Sequence, residues 1–173
     1  MLKKIIIVIA ILMGGVIMAV LVAEESSPAK YSVGDLIEKY EVTSDDGSMV
    51  VFPVEKWTVL YFYPMDDTPG CTTQAKTFTS LYDEYDKAGI VVFGVNMDSV
   101  ESHRKFKEKH ALKVTLLSDP KGNLARDFGV NIILGMCSRD AVIIDPHGRV
   151  DAIHRGVSPK GSPYEIIEYI ISK

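Results

Sequence analysis

Residues Ile5 to Ala23 form an uninterrupted run of 19 side chains that are apolar or glycine. A helix in the core of a small domain keeps a polar face, and this run has none. Its length approaches the ~20 residues that cross a bilayer hydrocarbon core. The chain therefore divides into an N-terminal segment over 1–23 and one body behind it. Lys3 and Lys4 before the run predict a cytoplasmic N-terminus and an extracytoplasmic body. A cleaved signal peptide also has this order of charge, apolar run and small residue. Two features favour the uncleaved single-pass anchor. The run exceeds the ~7–15 residues of a signal's apolar region, and Leu21 stands third before a cut after Ala23, where a small residue is wanted. No cysteine stands at the end of the run, which excludes a lipoprotein. The expected location is the cell membrane, or the periplasm or exterior if the segment is cut.

Residues 24–30 are polar and contain Pro28, as a linker would, and residues 31–173 suffice for one core. Without Lys3 and Lys4, 17 basic residues face 23 acidic ones, so nucleic acid is not an expected partner. The most basic stretch, His103 to His110, includes Glu108 and reads as the solvated face of a helix. Cys71 and Cys137, 66 positions apart, are the only cysteines, which excludes a disulfide scaffold.

Periodicity gives the order of elements. Tyr40 to Thr43 and Met49 to Phe52 flank Ser44-Asp45-Asp46-Gly47-Ser48 as a hairpin. Thr58 to Tyr63 reads as a buried strand ending at Pro64. Ala75, Phe78, Leu81, Tyr82 and Tyr85 give the helix from Cys71 an apolar face. Ile90 to Val95 is a strand. Asp98 and Glu101 resemble a capping box opening a helix to about Lys109. A strand at Val114 to Leu117, a short helix Asn123 to Phe128 stopped by Gly129, a hairpin across Asp145-Pro146-His147-Gly148 and a helix Tyr164 to Ile171 complete the chain. The order predicts an α/β fold, a mixed central sheet with helices on both faces.

The chemistry concentrates in Tyr61-Phe62-Tyr63-Pro64-Met65-Asp66-Asp67-Thr68-Pro69-Gly70-Cys71-Thr72-Thr73-Gln74. A strand end, a Pro- and Gly-bearing loop and a cysteine opening a helix put a thiol among unpaired backbone N–H groups, which favour the thiolate. The thiolate is the nucleophile. Thr68 can present its hydroxyl in the same pocket, Pro64 can shield the sulfur from water, and Gly70 lets backbone approach a substrate. A cysteine taken at random is more often an inert core residue, but the polar turn preceding Cys71 argues against that.

Pro64, Thr68 and Cys71 match the Pro-x-x-x-Thr-x-x-Cys signature of peroxiredoxins. Thr68-Pro69-Gly70-Cys71-Thr72 resembles the bacterioferritin comigratory protein, or peroxiredoxin Q, branch of these AhpC/TSA-like proteins. Gly94-Val95-Asn96-Met97-Asp98-Ser99, Leu117-Ser118-Asp119-Pro120 and Val142-Ile143-Ile144-Asp145 follow in the family's order. The resemblance implies a thioredoxin-like fold and a cofactor-free, antioxidant thiol peroxidase. Cys71 would reduce hydrogen peroxide and organic hydroperoxides through a sulfenic acid, reset by a thioredoxin-like or small-thiol reductant. The family also uses an arginine at the start of its Val-Ile-Asp strand, where Arg139 stands; a guanidinium there holds an anion and offsets charge as the O–O bond breaks. A surface ion pair with Asp140 is the plain alternative. Whether the protein is a monomer or a dimer stays open.

Two departures bear on mechanism. The branch often carries a resolving cysteine five positions after the attacking one, and here Lys76 stands there. Cys137 is the remaining candidate. It lies two residues before Arg139, so an extended chain would turn both side chains to one face; a buried spectator or a surface thiol is equally open. Asn131 to Met136 is an apolar connection that could line an organic peroxide pocket or simply pack. The histidines 103, 110, 147 and 154 read as structural or surface residues, with no metal site expected. An extracytoplasmic thioredoxin-like thiol–disulfide oxidoreductase would need Cys-x-x-Cys, but residue 74 is Gln. A binding module on this fold would leave the Pro, Thr, Cys and Arg set to coincidence.

Overall fold

The computed structural model describes residues 28–173. The apolar segment and the anchor expected from it lie outside the described residues. Among those described, no helix is long and apolar enough to cross a membrane.

β1 (Tyr40–Ser44) and β2 (Met49–Phe52) form the expected hairpin, Tyr40 opposite Phe52. Asp46 ties its turn by accepting from Ser44 Oγ at 2.6 Å and from the Ser48 N–H at 2.8 Å. Then follow β3 (Trp57–Phe62), α1 (Pro69–Ser80), α2 (Tyr82–Lys87), β4 (Ile90–Asn96), α3 (Val100–His110), β5 (Thr115–Ser118) and α4 (Asn123–Asp127). A small hairpin, β6 (Ile132–Ile133) and β7 (Met136–Cys137), precedes β8 (Ala141–Ile144), β9 (Val150–His154) and α5 (Ser162–Ile171). Seven strands make one mixed sheet, in the order β2-β1-β5-β4-β3-β8-β9.

β3 runs parallel to β4 and antiparallel to β8, so both of its edges are paired and it lies inside the sheet. Its side chains divide with period two. Val59 and Tyr61 join Cys71, Ala75, Phe78, Phe106, Ile166 and Ile170 on one side, beneath helices α1, α3 and α5. Leu60 and Phe62 join Leu124, Phe128 and Val142 on the other, where α4 and the chain around Tyr31 and Ile37 form the cover. Each large side chain removed from water contributes about 1.5–3 kcal/mol. The Tyr61 ring stacks on Phe78 at 4.5 Å. It passes so close to β4 that a Cβ at Gly94 would stand 2.5 Å from its hydroxyl, which explains a glycine in mid-strand.

Tyr31 belongs to the core, 5% exposed, with its N–H donating to the Asp127 carbonyl at 2.9 Å. Several details differ from the sequence reading. The helix from Cys71 breaks at Leu81, which leaves the helical region (φ −93°, ψ 3°), and α2 then turns Tyr82 outward, 40% exposed. Ser99, not Asp98, caps α3, accepting from the Ser102 N–H at 3.2 Å. Asp98 is committed elsewhere, accepting from Asn96 Nδ2 at 2.9 Å and from the Asp66 N–H at 2.7 Å. Asn131 to Met136 forms the β6–β7 hairpin, with Ile133 and Leu134 exposed at its tip.

Candidate active site

Strand pairing brings the reactive residues together. Tyr61 lies opposite Ala141, and the Phe62 N–H donates to the Asp140 carbonyl at 2.8 Å. Arg139, the residue before Asp140, is thereby held at the carboxyl end of β3, where the loop to α1 departs. Thr68 is the N-cap of α1, Pro69 fills the first position, where a missing N–H costs nothing, and Cys71 is third. Cys71 is 1% exposed. Arg139 Nη2 donates to its Sγ at 3.3 Å.

The guanidinium is held as a fork. Its Nη1 donates to Gln74 Oε1 at 2.6 Å. Gln74 is fully buried, and its own Nε2 donates to Ser162 Oγ at 3.4 Å, at the start of α5. A Cβ at Gly70 would come within 3.3 Å of Arg139 Nη2, so this glycine keeps space for the guanidinium. α1 has neither a side-chain cap nor an acidic residue in its first turn. Its N-terminal N–H groups and the guanidinium together favour negative charge at Sγ and at an oxygen beside it. Arg139 therefore does not make the surface ion pair with Asp140, which instead accepts from Arg155 Nη1 at 2.8 Å.

The loop between β3 and α1 is clamped to α3 by its two aspartates. Asp66 is buried and accepts from Tyr63 Oη at 2.7 Å, Ser102 Oγ at 2.7 Å and Asn96 Nδ2 at 3.3 Å. Its Oδ2 also lies 2.9 Å from Nδ1 of His103, a residue with no exposed surface. His103 Nε2 faces the Leu117 carbonyl at 3.3 Å. Both ring nitrogens thus lie within hydrogen-bond reach of an oxygen, which fixes the ring's orientation. Burial alone would push the Asp66 carboxyl up, but His103 and the surrounding hydroxyls hold it below the usual range. Burial pushes the Tyr63 phenol far up, so it stays a neutral donor. The exposed Asp67, at φ 57°, pairs with Lys109 and with His110 Nε2 at 2.6 Å.

The other candidates fall as follows. Pro64 is half-buried and opens the loop. Thr68 Oγ1 donates to the Met65 carbonyl at 3.3 Å, and its lone pairs remain available. Lys76 is exposed. Cys137 is 2% exposed and packs with Leu124 and Phe128, in the apolar cluster on the other side of the sheet from Cys71. Burial pushes its thiol up to about 12. Cys137 and Arg139 do not turn to one face: the Ser138 N–H extends the β6–β7 pairing to the Asn131 carbonyl at 2.7 Å, the chain bends at Arg139, and Arg139 reaches Cys71 while Cys137 packs in the opposite cluster. His103 is wholly buried, against the reading of its stretch as a solvated face, whereas His147 is exposed. Among the described residues no group of acidic, His and Cys side chains could hold a metal.

Sequence reasoning missed Gln74, Ser162, Asp66 and His103. One signal for Gln74 was available: a polar residue one turn after Cys71 and next to Ala75, on the face that packs inward.

Residues 33–153 match the AhpC/TSA family. A putative peroxiredoxin bcp of Coxiella burnetii is 34% identical over 144 residues, spanning 78% of this chain and 95% of that protein. The crystal structure of a Cys-to-Ser mutant of Xylella fastidiosa PrxQ superposes with a TM-score of 0.77 at 26% identity, over 82% of this chain and 96% of that one. The bacterioferritin comigratory protein of Xanthomonas campestris, studied for its alkyl peroxide reduction activity, gives 0.72 at 31% identity, over 77% and 90%. The sheet and its helices are the thioredoxin-like peroxiredoxin fold. With its cysteine at the opening of α1 and a guanidinium on the sulfur, this chain belongs to the AhpC/TSA family and is a thiol peroxidase of the peroxiredoxin kind.

Proposed function

We propose that the protein reduces hydrogen peroxide and organic hydroperoxides through a sulfenic acid on Cys71. The observation that carries this reading is the 3.3 Å contact between Arg139 Nη2 and Cys71 Sγ at an uncapped helix start. The Cys71 thiolate attacks one peroxide oxygen, an S–O bond forms, and the O–O bond breaks. The displaced alkoxide or hydroxide takes a proton to leave as alcohol or water. Charge moves from sulfur to the leaving oxygen during the step, and Arg139 with the helix N–H groups offsets it throughout. Arg139→Met keeps length and apolar bulk but removes the fixed charge. It is expected to slow the oxidation step by about 10²–10³-fold, the scale of losing one such donor. Stopped-flow oxidation of Cys71 checks this; an unchanged rate would remove Arg139 from the machinery.

The cycle closes when a thiol attacks the sulfenic sulfur, forming a disulfide and releasing water. Cys137 is the proposed internal thiol. Its raised thiol and complete burial require local opening. It sits at the base of a hairpin with two residues per strand, an element with few stabilising contacts. A dithiol partner of the thioredoxin kind then reduces the Cys71–Cys137 disulfide. One equivalent of peroxide is expected to yield this disulfide, and Cys137→Ser to overoxidise more readily and to turn over more slowly with a protein reductant. Wild-type turnover and wild-type resistance to overoxidation in Cys137→Ser would make the mechanism one-cysteine and Cys137 a bystander.

The proposed location is extracytoplasmic, with Ile5 to Ala23 as an anchor.

A further inference from the structure

The turn closing the β6–β7 hairpin runs against backbone preference. Leu134 has φ 51° and Gly135 φ 77°, the two positive values of a turn type that selects Asn-Gly or Asp-Gly. Leucine there adds steric cost and no packing, because Leu134 is 92% exposed and its neighbour Ile133 69% exposed. No other large apolar side chain of the described residues is as exposed as these two, and they share one tip. The base beneath is fixed: Ile132 packs so closely over Gly122 that a Cβ there would stand 2.5 Å from its Cδ1. Arg126 lies against the same spot and spends a hydrogen bond on the Lys121 carbonyl, so neither cation is neutralised by it. Both residues are exposed.

The N-terminal chain enters on this side of the domain. The position of a Cβ on Gly129 is 2.9 Å from Ala29 Cβ, and the Tyr31 N–H bonds the Asp127 carbonyl at 2.9 Å. Gly129 is three residues before β6. The stretch Glu24 to Ala29 spans at most about 20 Å when extended, so an anchor over Ile5 to Ala23 would hold this side near the bilayer.

We propose that the Ile133–Leu134 tip inserts into the lipid bilayer that holds the N-terminal segment, with Lys121 and Arg126 on the lipid phosphates. An apolar tip flanked by cations is the chemistry of an interfacial contact. A second point of attachment fixes the domain's orientation on the membrane, which a single tether leaves free. The proposal rests on the anchored reading, and its test separates the two.

The full chain carrying Leu134→Trp and Trp57→Phe is reconstituted with vesicles of phosphatidylcholine and phosphatidylglycerol, some brominated on the acyl chains. Retained peroxidase activity reports the fold. The chain is expected to float with the vesicles after a salt wash, and the indole at position 134 to shift to shorter wavelength and lose most of its emission to acyl-chain bromine. A floating chain with a water-like, unquenched indole overturns the proposal and leaves the anchor standing. A chain that does not float overturns both. An indole that responds only to an added thioredoxin-type protein makes the tip a protein-docking surface, and overturns the lipid contact.

Discussion

Cys71→Ser is expected to reduce peroxide turnover to the uncatalysed background, a loss of roughly 10⁴-fold or more, the scale seen when an enzyme's nucleophile is removed. A serine hydroxyl at this position does not ionise usefully near neutral pH and is a far weaker nucleophile toward the O–O bond than a thiolate. The fold should survive. A hydroxyl oxygen can still accept from Arg139, whose other arm remains on the buried Gln74. Coupled turnover assays and a thermal melt on the same sample check both halves. Appreciable turnover in Cys71→Ser would remove the thiol from the chemistry.

Asp66→Ala should destabilise the fold by about 1–3 kcal/mol or more, the cost of leaving buried donors without their acceptor. His103 would be left at 0% exposure facing no anion, while Tyr63, Ser102 and Asn96 would each lose an acceptor. Replacing both partners, with Asp66→Leu and His103→Leu together, should cost less than the single change, because the buried imidazole is not left without its partner. Urea unfolding orders the variants; a single change as mild as the double would mean that the pair contributes little. The pH dependence has a definite sign. The Asp66 carboxyl is held below its ordinary value of ~3.9 in the folded chain. Its contribution is therefore present above that value and lost as the pH falls through the lower folded value. Asp66→Ala should flatten the stability profile in that acid window.

Much of this arrangement was legible in the residues. β3 alternates cleanly because a strand buried on both faces must supply side chains to two cores, and its apolar run says so. Cys71 stood out because Pro, Asp, Thr and Gly before it spell a loop and a helix start. The Arg139 contact needed the family resemblance, since β3–β8 pairing joins residues 68 positions apart. The Asp66–His103 clamp spans 37 positions, and no local periodicity announces a pair whose partners lie on different elements. Asp98 looked like a cap because Glu101 follows it by three residues, as in a capping box. Competition from Asp66 and Asn96 for its carboxylate moved that duty to Ser99. Cys137 was ambiguous because spacing fixes a face only in an extended chain, and here the chain bends at Arg139.

The most direct measurement is mass spectrometry of the protein after one equivalent of peroxide, beside the same experiment on Cys137→Ser. Attack by Cys71 predicts that the wild-type chain loses two hydrogens as the Cys71–Cys137 disulfide. Cys137→Ser should instead gain a single oxygen, located on Cys71 and trappable by a sulfenic acid reagent. Peroxide consumed while Cys71 stays a free thiol, or oxygen found first on Cys137, would contradict the account.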